Sequence, residues 1–275
     1  MKVMFLLYLS LVSSLLLTGI ANTAHAQQLN LSQSINQAGI QRMLSQRMAK
    51  NYILLSQEID SQAAADELDE SSALFEENLF KLNASISDVD SKLALKKLKQ
   101  SWYGFRNFVL SEASKKQTAQ VVDRSTLLLK SAHALVLSLE RSSRTHSDHL
   151  INVSGRQRML SQRLAMLYYA SHSGIQEKIF QQEMHKTSRQ FGQALTKLMA
   201  AKENNTEINE ALAEVNNQWS FYKTKFNGSN KGRFSPKTIK VVSESLLKEM
   251  NSITKLYEVE SLAQAKYSTW IKSAN

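Results

Sequence analysis

The sequence predicts an all-α protein built as a tandem pair of four-helix, up-and-down bundles. Three observations lead there. The 275 residues contain one proline, Pro236, and 8 glycines, far fewer turn residues than a β-sandwich of this length uses. Apolar residues recur every three to five positions, as at Leu74, Leu79, Leu82 and Ile86, the spacing that keeps them on one helical face. The stretch "INQAGIQRMLSQRMA", Ile35 to Ala49, returns as "INVSGRQRMLSQRLA", Ile151 to Ala165, 116 residues later with eleven of fifteen positions identical.

The elements follow in chain order. Residues 1–26 form a secretion leader: Lys2, an apolar run from Val3 to Ala21, and a small-x-small cleavage site at Ala24-His25-Ala26. The residue after the cut is Gln27 and the chain has no cysteine, so neither a lipid anchor nor a disulfide framework is expected. No later apolar run reaches the roughly 20 residues that cross a bilayer. The expected product is exported and periplasmic.

The first bundle is placed at 27–147. Its helices are separated near Asp60, near "SISDVD" at Asp88 and near "SEASKKQ" at Ser111, and the fourth carries Val121, Ser125, Leu128, Ala132 and Leu135 on one face. The second bundle is placed at 148–275, with breaks near Gly174, near Asn204 and over "NGSNKGRFSP", where Pro236 starts the last helix. Phe75 pairs with Phe191 and Trp102 with Trp219, aromatics expected to fill equivalent core positions. "VVDRSTLLLKS" at Val121 pairs with "VVSESLLKEMN" at Val241 at an offset of 120. Between Gln117 and Ser171 the only strong breaker is Gly155, so helices four and five either join into one long helix or break near His146.

The formal charge is +10, and only Lys2 of it belongs to the leader. In an exported protein a basic balance favours anions, anionic surfaces or acidic partners. Basic residues are scattered, and no basic-aromatic recognition motif points to nucleic acid. No nucleophile-base pair, phosphate loop or paired carboxylates indicate an enzyme, and none is expected. His146, Asp148 and His149 are spaced as metal ligands on a helix, but without a second ligand pair no metal or other cofactor is expected.

The repeated motif carries the functional expectation. On a helix, Arg42 stands in a stripe of small residues with Ala38, Gly39, Ser45 and Ala49, and Arg158 stands likewise among Ser154, Gly155, Ser161 and Ala165. Small side chains let another helix approach, and an arginine in such a seam has room only beside a cavity or an anion. Its fork offers paired donors to a planar oxyanion and its charge persists. Two motifs supply one arginine from each side. Arg47 and Arg163 lie about 140° round the helix on an apolar face, and are expected to bond an acid or helix carbonyls within their own bundles. Asn36 and Asn152 share that face and are expected to meet a neighbouring helix.

The two motifs resemble the P-box of periplasmic nitrate/nitrite sensor kinases and the start of the PilJ-type domain, the N-terminal domain of type IV pili methyl-accepting chemotaxis transducers. The resemblance implies a helical sensor domain of chemotactic signal transduction. It also implies an anion held by Arg42 and Arg158 with Gly39 and Gly155 beside it, nitrate or nitrite being the family's ligand. It further implies a membrane-bound sensor kinase or chemoreceptor as partner. Departures are that Arg156 stands where the first copy has Ile40, and that one chain carries both motifs, which leaves an intrachain site and a homodimer both open. The alternative reading is a helical adaptor that docks on such a receptor and binds no small molecule.

Overall fold

A computed structural model of the chain describes residues 28–143, 145–226 and 234–274. The expected leader and most of the loop before Pro236 lie outside the described residues. Eight α-helices follow one another: α1 Leu31–Ser56, α2 Ser61–Ser85, α3 Val89–Val109, α4 Thr118–Ser142, α5 His146–Ala170, α6 Glu177–Met199, α7 Thr206–Tyr222 and α8 Pro236–Ala274. Short 3-10 turns occupy Lys115–Gln117 and Lys223–Phe226. There are no strands among the described residues. Their helices include none long and apolar enough to cross a membrane.

The starts of four helices are written in single residues. Asn30, Asp88, Thr145 and Asn205 each accept a hydrogen bond from the backbone N–H three residues on, at the heads of α1, α3, α5 and α7. Gln33 returns the bond to the Asn30 N–H, making a capping box. Such caps contribute about 1 kcal/mol each.

The cap at Thr145 answers the question left open between helices four and five. They are separate: α4 ends at Ser142 and α5 starts at His146. Asp148, buried in the first turn of α5, accepts hydrogen bonds from Ser32 on α1 (2.6 Å), Ser261 on α8 (2.9 Å) and Ser143. Those bonds turn the chain back, so α5 lies beside α1 rather than extending α4. Gly155 does not break the helix; it sits inside α5.

α1 and α5 are parallel and nearly in register. Ser32 meets Asp148, Gln46 meets Arg163 and Gln57 meets the Tyr169 carbonyl. Around this central pair, α2 and α4 run antiparallel to α1, and α6 and α8 run antiparallel to α5; α3 packs on α4, and α7 on α8. The central position shows in the burial. α5 buries 20 of its 25 residues, polar ones included, whereas peripheral α2 buries 8 of 25 in a single stripe. The two halves repeat their cores: Phe75 stacks on Trp102 at 4.2 Å between ring centres, and Phe191 meets Trp219 at 4.4 Å.

The repeat register of α4 and α8 differs from the sequence alignment by two residues. Gln46 donates to the Ser125 carbonyl and its counterpart Gln162 donates to the Ser243 carbonyl. Ser125 and Ser243 are therefore equivalent, at an offset of 118 rather than 120. The two valine pairs had drawn the alignment to the wrong turn; buried contacts, not sequence identity at the helix start, set the equivalence.

Candidate functional site

The site lies in the α1–α5 seam, and each motif residue has a role in building it. Gln41 and Gln157 each donate to a carbonyl of the next helix, Phe75 and Phe191, both at 2.9 Å. Gln46 and Gln162 fasten the opposite flank, as above. Ser45 and Ser161 turn their hydroxyls back onto the carbonyls of Arg42 and Arg158. The motif helices are thus held on both sides, and the arginines have one direction left.

Both guanidinium groups are buried, each residue 1 % exposed. Each reaches across the seam to the other motif. Arg42 Nη1 donates to Asn152 Oδ1 (2.7 Å) and Nη2 to the Asn152 carbonyl (3.1 Å). Arg158 Nη2 donates to Asn36 Oδ1 (2.7 Å) and Nη1 to Asn251 Oδ1 on α8 (2.8 Å). His133 on α4, equivalent to Asn251, sits 3.4 Å from Arg42 Nη1. The asparagines pass the contact outward, Asn152 to Glu140 and Asn36 to Glu258. The result is a pseudo-two-fold cluster in which arginine, asparagine and glutamate follow one another on each side.

The glycines make the arginines fit. A Cβ on Gly39 would stand 3.3 Å from Nη2 of both Arg42 and Arg158, and one on Gly155 would stand 2.9 Å from Arg158 Nη2 and 3.5 Å from Arg42 Nη2. The two Nη2 groups therefore converge over the two glycines. Helical glycine costs roughly 1 kcal/mol against alanine, and the space it leaves is occupied by cationic nitrogen.

No carboxylate lies within ion-pair distance of either guanidinium among the described residues. Burial, then the neighbouring Arg158 and Arg156, push the Arg42 pKa down to about 9, with Glu140 opposing. Burial pushes Arg158 down to about 10, with Glu258 opposing. Both stay protonated at neutral pH, so two like charges share a poorly solvated seam. The Nε of each is buried without a hydrogen-bond partner among the described residues. Two forks with unused donors and uncompensated charge can take up a small anion.

Arg47 and Arg163 are placed apart from this cluster. Arg47 pairs with Glu67 on α2 and Glu244 on α8, a group that also holds the buried Lys50. Arg163 donates to Gln46 and Thr126 and pairs with Glu183. Both meet acids, as expected, but each also bonds the other half of the molecule. Asn36 and Asn152 meet the neighbouring motif helix, as expected, and their partners there are Arg158 and Arg42. His133, Asn251, Glu140 and Glu258 were not found from the sequence. The identical glutamates 118 residues apart were the signal, hidden by the misplaced register. His149 lies against Glu140 and His146 is 3.9 Å from Glu203, while Asp148 points inward to serines. No cluster among the described residues could hold a metal ion.

A cavity of about 270 Å³ between α4, α5 and α6 has Arg42 and His133 in its lining.

The chain matches the family model described as "Type IV pili methyl-accepting chemotaxis transducer N-term", PilJ, over residues 23–134 and 141–234. No curated protein and no solved structure matches it. The matched stretches contain both motifs, six of the eight helices whole and most of α4, and the chain belongs to the PilJ family of type IV pili methyl-accepting chemotaxis transducer N-terminal domains.

Proposed function

We propose that this is a periplasmic sensor domain that binds a small planar oxyanion, nitrate or nitrite, between Arg42 and Arg158. Gly39 and Gly155 supply the space, and Asn36 and Asn152 orient the two forks. The observation that carries the reading is the convergence of two buried guanidinium groups on two glycines with no carboxylate paired to either. An anion there offsets the mutual repulsion of the arginines and links α1 to α5. Its arrival changes the packing of the two halves, which a membrane-bound chemoreceptor or sensor kinase reads. PilJ membership supports the sensory role; the choice of nitrate or nitrite rests on the P-box resemblance.

A second reading has its own observation. The Nη donors already bond Asn36, Asn152 and Asn251, as a purely structural clasp in an adaptor protein requires. Thermal unfolding of residues 27–275 in nitrate, nitrite, chloride, sulfate and phosphate at constant ionic strength separates the two. A ligand at 100 times its dissociation constant adds about 2.7 kcal/mol of stability. The expected result is a rise with one planar anion that is lost in Arg42→Ala and Arg158→Ala. A flat panel, with both variants merely less stable, overturns the sensor reading in favour of the adaptor.

A further inference from the structure

The cavity between α4, α5 and α6 breaks the two-fold likeness of the halves. It is lined by five basic side chains, Arg42, Lys130, Arg156, Arg163 and Lys186, against one carboxylate, Glu183. Glu183 is engaged, 3.5 Å from both Arg163 and Lys186. Arg156 and Lys130 have no carboxylate within ion-pair distance among the described residues.

The fold does not require this charge. Where the second half places Arg156 and Lys186, the first half places Ile40 and Glu70 at the equivalent positions, and Thr126 on α4 is matched by Glu244 on α8. The equivalent positions are close to electrical balance, with Arg158, Lys248, Arg47 and the buried Lys50 against Glu67, Glu70 and Glu244. The two faces of one repeated scaffold differ by several charges, and the positive face is the one that opens onto Arg42.

The cavity is also larger than a bare oxyanion needs, and Leu129, Met159 and Leu160 give it apolar wall. Several cationic side chains, some apolar wall and the buried Arg42 guanidinium match a short organic anion with two acidic groups.

Building on the reading of the arginine pair as an anion site, we infer that the ligand class includes small organic dianions, with one acidic group at Arg42 and the second held in the cavity by Arg156 and Lys186. Such a dianion enters from the α4–α6 side alone, because the opposite face lacks the excess positive charge.

Isothermal titration of residues 27–275 with nitrate, acetate, malonate and succinate at constant ionic strength tests this, with the double variant Arg156→Ile/Lys186→Glu, which carries the first half's residues. Malonate or succinate is expected to bind about tenfold tighter than acetate, the gain of one further charge-assisted contact. In the double variant that gap closes, while nitrate and acetate weaken together through the lost field of Arg156 and Lys186. Dianions no tighter than acetate, or a gap that survives the double variant, overturn the inference and leave the oxyanion reading standing. Dianion binding without nitrate binding sustains the inference and removes the inorganic ligand. If no anion binds, both readings fall.

Discussion

Arg42 grips Asn152 of the other motif with two hydrogen bonds, 2.7 Å to Oδ1 and 3.1 Å to the main-chain carbonyl. Arg158 returns the grip on Asn36. Each motif therefore completes its fellow, and the second copy is a partner rather than a spare. Side-by-side parallel packing of α1 and α5 is what allows this exchange.

Asn152→Leu should be markedly destabilising. It leaves the buried Arg42 Nη1 and the Glu140 carboxylate short of a partner, a loss of about 1–3 kcal/mol. Urea unfolding measures it. Asn36→Leu should cost a similar amount through Arg158 and Glu258, and a negligible effect of both would show that the cross-seam bonds are dispensable.

Gly155→Ala and Gly39→Ala should separate stability from binding. The Gly155 Cβ would stand 2.9 Å from Arg158 Nη2, and the Gly39 Cβ 3.3 Å from Nη2 of both arginines. A flexible side chain can move, and alanine gains roughly 1 kcal/mol of helix propensity. Both variants should fold with stability near that of the natural chain, while anion-induced stabilisation is lost, most completely in Gly155→Ala. Retained stabilisation in both would show that the glycines serve helix packing alone.

His133 should impart a pH dependence. Burial, then the charges of Arg42 and Arg156, push its pKa down from 6.5 to about 4, with Glu140 opposing. Between those values the unfolded chain binds a proton that the folded chain does not. Its contribution is therefore present above pH 6.5 and is lost as the pH falls towards 4. His133→Gln keeps an acceptor for Arg42 and removes the titration. Between pH 7 and 4.5 the natural chain should lose more unfolding temperature than the variant, a difference in which the carboxylates common to both cancel. Parallel curves would mean that the ring titrates alike in both states.

Much of this was legible in the chain. Helical breaks at Asp60, Asp88, Ser111, Gly174 and Asn204 fall between the observed helices, because capping residues and lost periodicity are local signals. The stripe of small residues round Arg42 and Arg158 was equally local, since a fixed 100° turn per residue places side chains without reference to the rest of the fold. The α4/α8 register was misread because two adjacent valines recur in both segments while the identical Glu140 and Glu258 stand further along.

The helical class, the internal repeat and the two arginines in seams of small residues could be read from the amino-acid order alone. These are set by spacing along one chain. Helix packing is what sets α5 parallel to α1 and makes Asn36 and Asn152 serve the opposite motif. It alone placed Glu140 and Glu258 behind them and left one face of the pair positively charged. Those features depend on which helix faces meet, and that choice was made by the new helix start at Thr145 and a buried Asp148 held by serines from α1 and α8. No periodicity encodes such a meeting, because it is fixed by contacts more than 100 residues apart.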